Sequence, residues 1–189
     1  GHWRTRFPIG MALLAVPFVY VLDRGSSIAF RFWPCLETHL ASHCSKTISH
    51  VNVITMYWRV ELIIACFIIA LAAVFIYLTA IRRLTRIQAL AAVFIFAFCT
   101  SAWSTGSRSL GQHGGSILVL SIALYLLVAA EQRPCLAQFS ALPLAFSFVI
   151  RPTNALPILA LALFVVIKHR QYAVPFFLWA ASVAVPFIW

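Results

Sequence analysis

Long apolar runs separated by short polar stretches make up most of this chain. The most uniform run, Val60–Ala80, has about 21 residues, enough to cross the roughly 30 Å hydrocarbon core of a bilayer as one helix. Further apolar runs follow it at Ile87–Ala102, Ile117–Ala130, Leu136–Ile150, Ala155–Ile167 and Tyr172–Trp189. The pattern predicts an all-α fold, a polytopic transmembrane helical bundle with short extracytoplasmic loops and about six transmembrane helices over residues 60–189.

The first part of the chain is less regular. Residues 7–22 (FPIGMALLAVPFVYVL) are apolar, but the run is short and contains Pro8, Gly10 and Pro17. It predicts an interfacial or re-entrant helix, with a short kinked span as the alternative. Residues 23–59 mix histidines, charges and aromatic side chains, and we interpret them as an extracytoplasmic loop.

Composition supports a lipid environment. The chain is 63% hydrophobic and only 10% charged, too few charges to cover the surface of a soluble domain. Its net charge of +10 would suggest nucleic-acid binding in a soluble protein, but the bases stand in short turns beside apolar runs. We therefore predict an integral, multi-pass membrane protein with no nucleic-acid partner. The cytoplasmic side is assigned to the basic turns that contain Arg82, Arg83, Arg86, Arg133, Lys168 and Arg170.

Residues 35–44 contain a cluster of side chains that could ligate a metal. The cluster consists of Cys35, Glu37, His39, His43 and Cys44. Its spacing matches no standard zinc pattern, so a polar surface loop is the favoured interpretation and no metal or cofactor is predicted. A disulfide between Cys35 and Cys44 is compatible with an oxidising compartment.

Two polar loops, Trp103–Ser116 and Arg151–Asn154, fall on the side opposite the basic turns. Positive charge is disfavoured there, yet Arg108 and Arg151 lie in these loops. A guanidinium offers a planar fork of donors to phosphate oxygens, so we predict that both bind an anion such as the phosphate of a lipid-linked substrate. The alternative is that they simply extend to the membrane interface.

Three more polar residues join this candidate binding site. Gln112 and His113 precede two glycines that allow close backbone approach, and Asn154 ends the second loop. We interpret His113 as a binding residue rather than a base, because no acid–base partner stands beside it. The alternatives are an ordinary helix start capped by Ser116 and a plain turn at residues 151–154.

At these loops the chain resembles bacterial polytopic glycosyltransferases of the GT-C class. The resemblance rests on TSAWSTGSRSLGQHGGS at 100–116, RPTNALPILALAL at 151–163 and FPIGMALLAVPFVY at 7–20. These enzymes are related to the dolichyl-phosphate-mannose–protein mannosyltransferases of glycosyltransferase family 39. The resemblance implies inverting transfer of a sugar from a polyprenyl-phosphate donor to an acceptor on the extracytoplasmic face.

The resemblance also implies a catalytic Asp that precedes the FPIG segment. This chain begins at about that segment, which predicts a fragment without its catalytic base, and Asp23 is not given that role. The family reads QHGP where residues 112–115 read QHGG.

A second hypothesis is a multi-pass transporter or flippase segment that binds an anionic lipid without chemistry. Its expected signature, acidic residues inside the spans, is missing, because Glu61 stands at the interface end of the run Val60–Ala80 and the other runs contain no acid. A membrane-embedded interaction protein is the third alternative.

Overall fold

A computed structural model describes residues 9–32, 50–106 and 111–188, and within these ranges the regular structure is helical, with no strand. The α-helices are α1 (Ile9–Phe32), α2 (His50–Ala80), α3 (Arg86–Cys99), α4 (Gln112–Ala129), α5 (Leu136–Phe139), α6 (Ala141–Ile150), α7 (Ala155–Lys168) and α8 (Ala173–Ile188). Shorter turns of π-helix at Ala102–Gly106 and of 3₁₀-helix at Pro152–Asn154 and Arg170–Tyr172 connect them. The all-α prediction is confirmed for these residues.

The predicted loop over residues 23–59 is wrong at both ends. Helix α1 continues through residues 23–32, and α2 begins at His50. Polar side chains are tolerated in a helix at little cost, so the polar composition of residues 23–32 does not interrupt α1. The 31-residue α2 contains neither Gly nor Pro. The candidate metal and disulfide residues between 35 and 44 lie outside the described residues.

The run Leu136–Ile150 forms two helices rather than one. The break falls at Ser140, whose hydroxyl donates to the Ala137 carbonyl oxygen at 2.7 Å. Pro143 lies three residues later and has no N–H to donate to the preceding turn, which explains why the helix is interrupted here.

The helices pack in a consecutive series, α2 against α4, α4 against α6, and α6 against α8. One core cluster joins α4 and α6 through Ala123, Leu127 and Leu144, which are at most 2% exposed, with Val165 and Phe176 from α7 and α8. Fully buried alanines at such contacts let helix backbones approach closely, the usual packing mode where lipid surrounds the bundle.

The outer faces of the helices are apolar. Ile87 is 81% exposed, Leu156 78% and Val174 72%, and these residues belong to different helices. Such surface is unusual for a soluble monomer and suits an apolar surrounding. Two helices, Glu61–Ala80 and Gln112–Ala129, are long and apolar enough to cross a membrane.

Helices α7 and α8 could together supply a third span. Each is shorter than the roughly 20 residues that one crossing needs, and the chain direction changes by 115° between them. Within the described residues, the structure therefore has two to three helices that are long and apolar enough to cross a membrane. The six transmembrane helices expected over residues 60–189 stay a prediction.

The basic turns meet at one end of the bundle, as the charge pattern predicts. The carboxylate of Glu131 accepts hydrogen bonds from Arg83 and, at 2.6 Å, from Lys168 Nζ. Three turns that are distant in sequence thus meet at one acid. The hydrogen bond from Lys168 and the nearby Arg83 charge hold the pKa of Glu131 below its usual range.

Gly10 allows α1 to dock against α6. A Cβ atom at this position would lie 2.9 Å from the Ile150 backbone nitrogen, too close for the backbone to accommodate without moving. We expect Gly10→Ala to lower the free energy of unfolding by about 1 kcal/mol, because the overpacking cost exceeds the gain in helix propensity. Denaturant titration in detergent measures this change.

Gly114→Ala is the matched control for that substitution. The nearest atom to its added Cβ would be the Gly106 carbonyl oxygen at 3.4 Å, an ordinary contact. We expect unchanged or slightly higher stability. Equal losses in the Gly10 and Gly114 variants would contradict a specific close approach of α1 to α6.

Candidate functional site

Polar side chains from α4, α6 and the start of α7 meet at the end of the bundle opposite the basic turns. The group consists of His113, Ser116, Ser147, Arg151 and Asn154. The two polar loops predicted to share one side of the membrane are therefore in direct contact. We call these five residues the polar site.

Asn154 is the buried centre of the polar site, with only 8% of its surface exposed. Its Nδ2 atom lies 2.5 Å from Ser116 Oγ and 2.8 Å from Ser147 Oγ, and it also approaches the Ser147 carbonyl oxygen at 3.3 Å. Both serines are buried, at 5% and 0% exposure. These hydrogen bonds tie the start of α7 to α4 and α6.

The sequence Arg-Pro-Thr-Asn builds this arrangement locally. The residue before a proline avoids the helical region, and Arg151 is extended at φ −151° and ψ 107°, which ends α6. Pro152 then opens the 3₁₀ turn that brings Asn154 back beneath Arg151, with the Asn154 N–H bonded to the Arg151 carbonyl oxygen at 3.0 Å. The turn thus presents one cation outward and one amide inward.

Arg151 contacts His113 across the gap between α6 and α4. The Arg151 Nη1 and His113 Nδ1 atoms are 2.8 Å apart. Because a guanidinium only donates, Nδ1 must accept, and the hydrogen of the neutral ring is on Nε2. The pair therefore presents N–H groups outward, namely the His113 Nε2–H and the other guanidinium hydrogens.

This donor set suits an anion. His113 is exposed and Arg151 is half-buried, so a ligand can reach both side chains. His113 cannot take a proton at Nδ1 while Arg151 donates to that atom, which favours binding over proton transfer. A phosphate group, with several acceptor oxygens, matches two neighbouring donors of this kind.

The start of α4, which carries His113, lies beside the middle of α2 rather than at its end. The side chain of Ile69 on α2 is a close neighbour of Gly106, at the end of the π-helical turn, and of Gly114, at the start of α4. Along α2, Ile69 is about 12 Å inside the apolar segment Glu61–Ala80 at 1.5 Å per residue. His113, the residue before Gly114, is therefore level with the interior of that segment rather than with its N-terminal end.

The structure places the predicted site residues unequally. His113, Arg151 and Asn154 come together, although Asn154 directs its amide nitrogen to the two serines. Gln112 is the half-buried first residue of α4, one position before His113. Arg108 lies outside the described residues.

Ser116 and Ser147 are the members of the polar site that the sequence pattern missed. Ser116 is not a helix cap, because α4 begins at Gln112 with Gly111 at the capping position. Ser147 stands within the apolar run that precedes Arg151. A serine inside a membrane helix often bonds to a neighbouring helix, and that rule could have identified both.

No protein-family model, curated protein or solved structure matches this chain.

Proposed function

We propose that this chain is the donor-binding part of a multi-pass membrane glycosyltransferase of the GT-C class. In this proposal, it works on the extracytoplasmic face of the bacterial inner membrane. The enzyme would transfer a sugar from a polyprenyl-phosphate donor to an acceptor. The partners are then membrane lipid, a lipid-linked sugar donor and an acceptor whose chemistry is open.

The observation that carries the proposal is the Arg151–His113 pair, in which His113 directly precedes Gly114, the neighbour of Ile69 on an apolar helix. If α2 crosses the membrane, a cation at this depth is costly unless it has a partner or a function. A lipid-linked phosphate reaches this level from the bilayer without leaving it. A soluble anion could bind at the exposed surface and would not require a site inside the apolar segment.

The chemistry follows from the donor set. The acceptor oxygen attacks the anomeric carbon and gives its proton to a general base. The bond from that carbon to the phosphate oxygen breaks, and polyprenyl phosphate leaves with the electron pair. Negative charge grows on the leaving phosphate, and Arg151 and the His113 Nε2–H would stabilise it there. Gln112 and Arg108 are proposed as further donor contacts. No general base is assigned within this chain.

Asn154 would act indirectly. Its hydrogen bonds to Ser116 and Ser147 fix the turn from which Arg151 projects, so it is a positioning residue in this proposal. Preorganised donors stabilise developing charge better than flexible ones, because no reorganisation is needed during the reaction.

Reconstitution of the purified protein into proteoliposomes tests the proposal. Proteoliposomes receive polyprenyl-phosphate donors with different labelled sugars, together with membrane extract as the source of acceptor. We expect the label to leave the lipid and an equal amount of polyprenyl phosphate to appear.

The same assay separates transfer from transport. A flippase would expose the intact lipid-linked sugar to a membrane-impermeant reagent on the opposite leaflet, with the sugar–phosphate bond unbroken. That result, or the absence of any effect with all donors, would overturn the glycosyltransferase proposal.

A further inference from the structure

A second polar pocket lies at the end of the bundle that carries the basic turns. It has a volume of about 260 Å³ and is lined by Arg82, Tyr125, Ala129, Gln132, Arg133 and Leu136. It is far from the polar site along α4, since Tyr125 and Ala129 are near the C-terminal end of that helix and His113 is at its start. No step of the proposed sugar transfer uses it.

Arg82 is fixed in this pocket by neutral groups. Its Nη1 donates to Gln132 Oε1 and its Nη2 to the Tyr125 hydroxyl oxygen, both at 3.1 Å. The guanidinium carbon also lies 5.0 Å from the centre of the Tyr125 ring. These contacts orient the side chain, but they leave its positive charge without a balancing carboxylate.

The same contacts leave hydrogen-bond donors available to a ligand. Because Gln132 accepts through Oε1, its NH₂ group remains available to donate. The Tyr125 oxygen accepts from Arg82, so its O–H is likewise available. Arg133 lines the same pocket, and its guanidinium has no hydrogen-bond partner among the described residues, since the hydrogen bonds of this residue are made by its backbone.

The charge balance of this end favours an anion. Glu131 is the acid of these turns, and it already accepts from Arg83 and Lys168. Arg82 and Arg133 therefore share one small cavity without an acidic partner from these turns. The volume is below the roughly 300–1,000 Å³ of pockets for drug-sized ligands, which suits a compact group.

We propose that the pocket between Arg82 and Arg133 binds a phosphate group, either in an anionic lipid headgroup or as free phosphate. The pocket begins where the apolar segment Glu61–Ala80 ends, at the level where headgroups meet a spanning helix. Basic pockets between membrane helices on the cytoplasmic side are suited to anionic headgroups. This inference is independent of the glycosyltransferase proposal, because it uses none of the residues of the polar site.

Native mass spectrometry of the purified protein tests the site with defined probes. Phosphatidylglycerol is titrated against wild type, Arg133→Gln and Arg133→Lys, and phosphatidylcholine serves as the zwitterionic reference. We expect Arg133→Gln to weaken phosphatidylglycerol binding about tenfold, because it removes charge-assisted hydrogen bonds. The affinity of the Arg133→Lys variant should lie between those of wild type and Arg133→Gln, since lysine keeps the charge but lacks the planar fork of donors.

Arg170→Gln is the matched control, because it removes one exposed cation from a neighbouring turn that does not line the pocket. We expect it to change the affinity less than about twofold. Equal affinities of wild type and Arg133→Gln, or equal losses in the Arg133→Gln and Arg170→Gln variants, would overturn the proposal.

A competition arm with millimolar inorganic phosphate separates the two sources of the ligand. Displacement of phosphatidylglycerol that depends on Arg133 supports a site for free phosphate. Lipid binding that depends on Arg133 and resists inorganic phosphate supports a headgroup site.

Discussion

Replacing Arg151 by alanine should reduce sugar transfer at least about a hundredfold, because the loss of one donor that stabilises charge in the transition state costs about 10²–10³ in kcat. The Arg151 guanidinium is held 2.8 Å from His113 at the mouth of the polar site, where the leaving phosphate would lie. Transfer from the labelled polyprenyl-phosphate donor in proteoliposomes, at donor concentrations above and below KM, measures the effect. Arg151→Lys should retain part of the activity, since it keeps the charge but loses the fork.

Arg86→Ala is the control for this change. Arg86 begins α3 and is exposed, at the end of the bundle opposite the polar site. It removes the same charge from the protein, and we expect transfer at the wild-type rate. If the Arg151 and Arg86 variants were equally active and equally abundant in the membrane, Arg151 would have no role in binding the donor phosphate.

The positions of the helices follow from local sequence. Apolar runs end where charge or proline interrupts them, as at Arg82 and Pro152, and the structure has helix ends beside both. Polar composition was a poorer guide, because residues 23–32 and 50–59 are helical although we interpret them from sequence as loop. A helix tolerates exposed polar side chains at little cost, whereas proline removes a hydrogen bond and clashes with the preceding turn.

The contacts within the polar site could not be predicted from the sequence alone. Its two loops can be assigned to one side of the membrane by counting alternating runs, and that assignment agrees with the observed contact. The sequence does not identify the partner of each side chain, because His113 and Arg151 are 38 residues apart, as are Ser116 and Asn154. Their pairing depends on how α4 and α6 are rotated about their axes, which an apolar run does not specify, since its residues are apolar on every face.

The depth of the site is likewise a property of packing. The sequence places two polar loops at the ends of apolar runs, but it does not say beside which part of α2 these loops lie. The observed neighbour is Ile69, in the middle of the apolar segment, because Gly106 and Gly114 leave room for its side chain there. Small residues thus set how far the polar loops are lowered into the bundle.

Asn154→Leu should have the largest effect on stability among these substitutions, a loss of roughly 2–3 kcal/mol in the free energy of unfolding. The change keeps a similar shape but removes hydrogen bonds to Ser116 and Ser147, and it leaves buried acceptors unpaired. Titration with a denaturing detergent, followed by loss of helical circular dichroism, measures the difference. Transfer activity should fall as well, because Arg151 would no longer be fixed by the turn beneath it.

Ser121→Ala is the control. Ser121 is also buried, but within the described part of the chain its hydroxyl donates only to the Ile117 carbonyl oxygen of its own helix, at 2.7 Å. We expect Ser121→Ala to lower the free energy of unfolding by less than about 1 kcal/mol. The double variant Asn154→Leu/Ser147→Ala should lose less stability than the sum of the losses in the two single variants. The reason is that Ser147→Ala removes an acceptor that Asn154→Leu has already left unpaired. Strict additivity would mean that Asn154 acts through packing alone, and Arg151 would then owe its position to Pro152 rather than to the buried amide.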